Sequence, residues 1–101
     1  MDEPTGHDRD PLTALMKLPN IGAEMARCLL AAGIDSPEDL RRIGSVEAGI
    51  RVSEHRRCGP TCRSALSALE GAVRGVRWHS IPKEDRDAIW AEYERRAGFE
   101  G

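Results

Sequence analysis

The chain has 101 residues, 40% of them hydrophobic and 32% charged, with two Trp, one Tyr, one Phe and a formal net charge of −2. That length holds one domain. The balance supplies no global positive field for nucleic acid, and scarce aromatics without β-branched runs point away from a sheet.

Residues 1–10 are polar, with Pro4 and Gly6, and are expected to form a disordered tail. The acidic N-terminus has no apolar core, so no signal peptide is expected. No apolar run is long enough to span a membrane. A single helical domain is expected over residues 11–98. Asp10-Pro11 reads as an N-cap followed by proline at the first helical position, which predicts a helix from about Pro11 to Lys17.

The next stretch, Leu18-Pro19-Asn20-Ile21-Gly22, organises the chain. Proline and asparagine break the first helix. Gly22 is expected to hold a positive φ or a close backbone approach, and to open a second helix, about Ala23–Ala32, with free amides. Leu18-x-x-Ile21-Gly22-x-x-x-Ala26 returns 22 residues later as Leu40-x-x-Ile43-Gly44-x-x-x-Ala48. The pattern suits a pair of helix-hairpin-helix turns, whose second helices present amides and a positive dipole end to a phosphate. It equally suits two plain corners of a small helical bundle.

Gly33 is expected to end the second helix in a left-handed conformation. Ser36-Pro37-Glu38-Asp39 combines a cap, a pre-set φ and two acids at a helix start. Gly44 closes that third helix, and Ser45 is available to cap a fourth carrying Val46, Ile50 and Val52. Ser53 to Pro60 reads as a loop holding His55, Arg56 and Arg57, the densest basic cluster. Residues 45–77 carry six Arg against three Glu, the only positive segment.

A longer helix is predicted from Thr61 to about Arg74, with a stripe of Leu66, Leu69, Val73 and Val76. Gly71 weakens it by roughly 1 kcal/mol relative to alanine, which implies close packing of another helix there. Pro82 starts a last helix, with Ile89, Trp90 and Tyr93 facing inward and Gly98 at its end. The expectation is an all-α fold of five or six short helices.

The three cysteines read as reduced thiols in a cytosol. Cys28, His55, Cys58 and Cys62 lack the paired spacing of a structural zinc site, so no metal and no other cofactor are expected. Trp78 and Trp90 are expected to anchor the core rather than stack on bases. No nucleophile, base or raised-pKa carboxylate set is visible, so the chain reads as non-enzymatic.

Ala68-Leu69-Glu70-Gly71-Ala72 followed by Trp78 resembles the C-terminal domain of the TfoX/Sxy family. Leu18 to Gly22, Gly33-Ile34 and Asp39-Leu40 match the family's upstream pattern. The resemblance covers about residues 12–90. It implies a helix-hairpin-helix-like fold in a bacterial, cytoplasmic regulator of competence or transcription. Full members also carry an N-terminal α/β domain, and the present chain is read as lacking it. Met25 to Leu40 is similar, more weakly, to the C-terminal domain of the RNA polymerase α subunit.

Two functions are expected from these readings. One is weak binding to the backbone of duplex DNA through Lys17, Asn20, Gly22, Arg41, Arg42, Gly44, Arg56 and Arg57. The other is a protein-interaction module with a regulatory protein as partner and no DNA contact. No membrane partner is expected, and a homodimer stays open.

Overall fold

The computed structural model describes residues 10–55 and 57–98. Among them the order is α1 (Pro11–Met16), α2 (Ala23–Ala31), α3 (Pro37–Ser53), α4 (Arg63–Arg74), a 3-10 turn (Trp78–Ser80) and α5 (Lys83–Ala97). The described residues contain no strand, as the composition required.

The helix starts follow the local chemistry. The Asp10 carboxylate accepts from the Thr13 N–H at 3.4 Å and the Thr13 hydroxyl at 2.8 Å, with Pro11 at the first helical position. Ser36 Oγ accepts from the Asp39 N–H at 3.0 Å. Each closes one of the orphan donors of a helix start. Gly33, Gly75 and Gly98 lie at φ 85°, 78° and 79°, where the helices end. The fourth helix starts later than expected, at Arg63, because Cys62 rather than Thr61 is its N-cap.

The core draws on each of the helices α1 to α4 and on the turns between α1 and α3. Leu15, Ile21, Ala26, Leu29, Ile34, Leu40, Ala48, Val52, Leu69 and Ala72 form one buried cluster. Burial of a leucine-sized side chain contributes about 1.5–3 kcal/mol, so α1 and α2, too short to persist alone, are held by this cluster. Tyr93 of α5 is fully buried. Its hydroxyl accepts from the Thr61 N–H at 3.3 Å, and Thr61 Oγ1 donates to the Gly49 carbonyl at 2.8 Å. Those two bonds seat the α3–α4 loop between α3 and α5.

Three expectations need correction. Trp78 is 42% exposed and does not anchor the core. The short 3-10 turn carries it outward, while Trp90 stays half-buried and stacks on Tyr93 with ring centroids 5.2 Å apart. Nor are all the cysteines thiols: Cys28 and Cys58 form a disulfide, with Cα atoms 6.0 Å apart, and Cys62 is free and exposed. The bond removes the ground on which the sequence assigned the chain to a reducing compartment. Finally, no neighbouring helix backbone accounts for Gly71. A Cβ there would lie 2.4 Å from Asn20 Nδ2, 2.6 Å from the Val76 carbonyl oxygen and 3.2 Å from the Trp78 nitrogen.

That last contact joins the two halves of the sequence pattern. Asn20, at φ 70°, donates through Nδ2 to the Val76 carbonyl at 2.9 Å and the Ala68 carbonyl at 3.4 Å. Its Oδ1 accepts from the Trp78 N–H at 3.2 Å. One residue earlier in α4, Glu70 accepts from the Ser45 hydroxyl at 2.6 Å and from Arg74 Nε at 2.7 Å. Arg74 in turn pairs with Asp85 of α5 at 3.1 Å. Leu69 and Ala72 point into the core between these polar contacts. The Leu69 to Ala72 stretch is therefore where both repeats dock: Gly71 receives the first through Asn20, and Glu70 the second through Ser45.

Candidate nucleic-acid interface

The two repeats share residues but not backbone geometry. In the first, α1 ends at Lys17, the chain turns through Pro19 and Asn20, and α2 begins at Ala23. The left-handed residue is Asn20, and Gly22 has φ −95° and ψ −174° with open space where a Cβ would stand. The expected positive φ or close approach at Gly22 is therefore not found. No side chain caps α2, so its first amides face outward from an exposed Gly22, with Glu24 in the same turn.

Because Gly22 lies in extended backbone beside open space, Gly22→Ser is expected to be tolerated. A hydroxyl at this N-cap should stabilise by a few tenths of a kcal/mol. Thermal unfolding checks it: a drop in melting temperature of several degrees would mean that the glycine is required.

In the second repeat the turn is one residue long. Gly44 sits at φ 86° and ψ 166° inside α3, splitting it into two helical halves. That conformation is essentially reserved to glycine. Ser45 does not cap the second half with its hydroxyl, which is bound to Glu70 instead. Arg41 and Arg42 are exposed just ahead of the kink. Arg42 pairs with Asp39 at 2.7 Å, and this hydrogen bond holds the Asp39 carboxyl below its usual pKa. Arg41 has no ion-pair partner among the described residues.

The disulfide assembles a third component. It ties the loop after α3 to α2 and closes a groove of about 370 Å³ lined by Glu24, Arg27, His55 and Arg57. Arg27 and Arg57 are exposed, and neither has an ion-pair partner among the described residues. The first hairpin's helix and the basic loop therefore share one concave surface, with two free guanidinium groups against one carboxylate. Arg56, assigned to the same cluster from sequence, lies outside the described residues.

Of the residues singled out from sequence, the groove brings Arg57 to the helix that Gly22 opens. Lys17 is exposed at the C-cap of α1. Asn20 has its side chain engaged by three backbone groups, so it shapes the turn from within. Arg27 was missed. It lies three residues after Glu24 on the exposed face of α2, a spacing that reads as an ordinary helix-surface pair. Among the described residues no group of three His, Cys, Asp or Glu side chains is placed to hold a metal ion. Two of the four candidate ligands, Cys28 and Cys58, are bonded to each other.

A family model described as the TfoX C-terminal domain matches residues 12–93. No curated protein matches the chain. Two solved structures are similar over most of the chain. One is an uncharacterized protein from Listeria monocytogenes in a triclinic form, 38% identical, with a TM-score of 0.74, covering 83% of this chain and 93% of the other. The second is a protein of unknown function from Listeria monocytogenes in a tetragonal form, 36% identical, with a TM-score of 0.71, covering 81% and 98%.

Proposed function

The chain belongs to the TfoX C-terminal domain family, and we propose that it is a non-enzymatic regulatory module, linked to competence or transcription, that contacts the backbone of duplex DNA. The observation that carries this reading is the groove between α2 and the basic loop. There Arg27 and Arg57, held together by the Cys28–Cys58 bond, line one concave surface along α2, whose start has no side-chain cap. Guanidinium groups and helix N-termini both recognise phosphate, and such contacts position a protein without reading sequence. Arg41 beside the Gly44 kink and Lys17 beside the first turn would add contacts at the rims.

Binding of this kind weakens as salt rises, by a slope of roughly −0.9 per phosphate neutralised. With few basic side chains in place, we expect about two to four phosphates and weak affinity. Fluorescence anisotropy of a labelled duplex at several salt concentrations measures both. Arg27→Ala with Arg57→Ala should flatten the slope by about two. No binding at low salt would sink the duplex reading.

A second reading is favoured by the charge bookkeeping. Among the described residues, most arginines outside the groove are committed to ion pairs: Arg42 with Asp39, Arg51 with Glu47, Arg63 with Asp87, Arg74 with Glu70 and Asp85, Arg95 with Glu92 and Arg96 with Glu47. A surface so neutralised suits a protein partner better than a polyanion. The salt titration separates the two, since that reading predicts no duplex binding at any salt.

A further inference from the structure

On the face formed by α4, the 3-10 turn and α5, away from the residues assigned to duplex binding, lies a second groove of about 310 Å³. Arg63, Ser64, Ser67, Trp78 and Arg86 line it, and no carboxylate does. We propose that this groove is a binding site for a nucleotide unit, with a base against Trp78 and a phosphate on Arg86, Arg63 and the Ser67 hydroxyl.

Three observations carry the assignment. The first is Trp78, left 42% exposed in a chain with only two tryptophans. Its backbone is fixed by Asn20, so the ring is presented on a rigid turn rather than a loose loop. Leaving so large an apolar ring in water forgoes burial energy that a stacking ligand would recover.

The second is Arg86. Its Nε donates to the Ile81 carbonyl at 3.1 Å, and its guanidinium carbon stands 5.5 Å from the Trp78 ring centroid. It has no ion-pair partner among the described residues. The side chain is therefore oriented, charged and uncompensated, with its terminal nitrogens available to an anion. Arg63 is fixed from the other side by Asp87 at 2.6 Å and by the Trp90 ring at 5.6 Å. Lys83 also binds Asp87, at 2.8 Å, so this trio retains one positive charge.

The third is Ser67. It is 7% exposed, lines the groove, and its hydroxyl has no hydrogen-bond partner among the described residues. Buried hydroxyls are nearly always satisfied, and one left open toward an arginine-lined groove marks the place of a missing acceptor. An aromatic face, oriented cations and a buried donor together match a base joined to a phosphate. An apolar ligand would leave the guanidinium groups and the hydroxyl unanswered. A bare phosphate would leave the indole unused.

A free mononucleotide and one unit of a single strand share this chemistry, and the probes separate them. Quenching of tryptophan fluorescence would be followed with adenosine monophosphate and, in parallel, with a short oligodeoxythymidylate at low salt. Binding of both assigns a free-nucleotide site, and binding of the oligonucleotide alone assigns a strand. In either case Trp78→Ala, read by isothermal titration calorimetry, should weaken affinity about tenfold or more. Trp78→Phe should recover part of it, and Arg86→Gln should weaken it while flattening the salt dependence. Circular dichroism verifies that each variant is folded; should Trp78→Ala not be, Arg86→Gln carries the comparison. The proposal is overturned if neither probe binds, or if folded Trp78→Ala or Arg86→Gln binds as the parent does. Duplex binding through the α2 groove is left untouched by either result, because Arg27 and Arg57 lie outside this site.

Discussion

Replacing Gly71 by alanine is expected to lower the melting temperature by roughly 5–15 °C, the largest effect of any single methyl group in this chain. The new Cβ would sit 2.4 Å from Asn20 Nδ2 and 2.6 Å from the Val76 carbonyl oxygen. The amide could swing away, but only by giving up its bonds to Ala68, Val76 and Trp78. The Val76 carbonyl cannot move without unwinding the end of α4, since the Val76 N–H donates to the Gly71 carbonyl at 2.9 Å. Overpacking and lost hydrogen bonds together give a cost of about 2–3 kcal/mol. It outweighs the helix-propensity gain of about 1 kcal/mol that alanine would bring.

A double-mutant cycle identifies the cause. Asn20→Ala alone is expected to cost about 1 kcal/mol, because its partners are partly reached by water. In the double variant the amide no longer stands in the way, so the two losses should add to less than their sum by at least about 0.5 kcal/mol. Strict additivity would show that Asn20 does not seat against Gly71. A melting temperature unchanged by Gly71→Ala would remove the close approach altogether.

The second large effect is expected from breaking Cys28–Cys58. The bond spans 30 residues of sequence, and removing such a crosslink frees the unfolded chain by about 3–4 kcal/mol in the loop-entropy account. For a domain of this size the melting temperature should fall by roughly 15 °C or more, whether by reductant or by Cys28→Ser. Cys58→Ser should match Cys28→Ser, while Cys62→Ser, at an exposed N-cap, should cost under about 1 kcal/mol. Alkylation followed by mass spectrometry gives an independent reading. One cysteine should label in the untreated protein and three after reduction and unfolding. Three labels without reductant would mean free thiols, and the melting temperature would then be indifferent to reductant. The loss should also reach duplex binding, since the same bond holds Arg57 against α2.

The all-α class, most helix bounds and the caps at Asp10 and Ser36 were legible because their causes lie within four residues. Asp10 with Thr13 and Ser36 with Asp39 are satisfied locally, and the left-handed ends fall on glycines that tolerate them. The resemblance to the TfoX C-terminal domain was equally legible, since a pattern of Leu, Asn and Gly residues does not depend on where they meet. The basic loop at Arg57 was visible as a charge cluster, but its pairing with Arg27 was not, because only the fold lays α2 beside that loop.

What tertiary structure decided lies at separations where sequence carries no distance. Asn20 meets Val76 and Trp78 across 56 and 58 positions, which turns a turn residue into a clamp and explains Gly71. The repeat suggested two equivalent glycines. The fold made them different, since Asn20 takes the left-handed conformation in the first turn and Gly44 takes the positive φ in the second. Cys28 and Cys58 pair because α2 and the α3–α4 loop converge on one groove, and nothing in their spacing distinguishes that from two isolated thiols. Trp78 was expected inside because large rings are usually buried. It lies outside because the backbone bond to Asn20 fixes the turn with the indole 42% exposed.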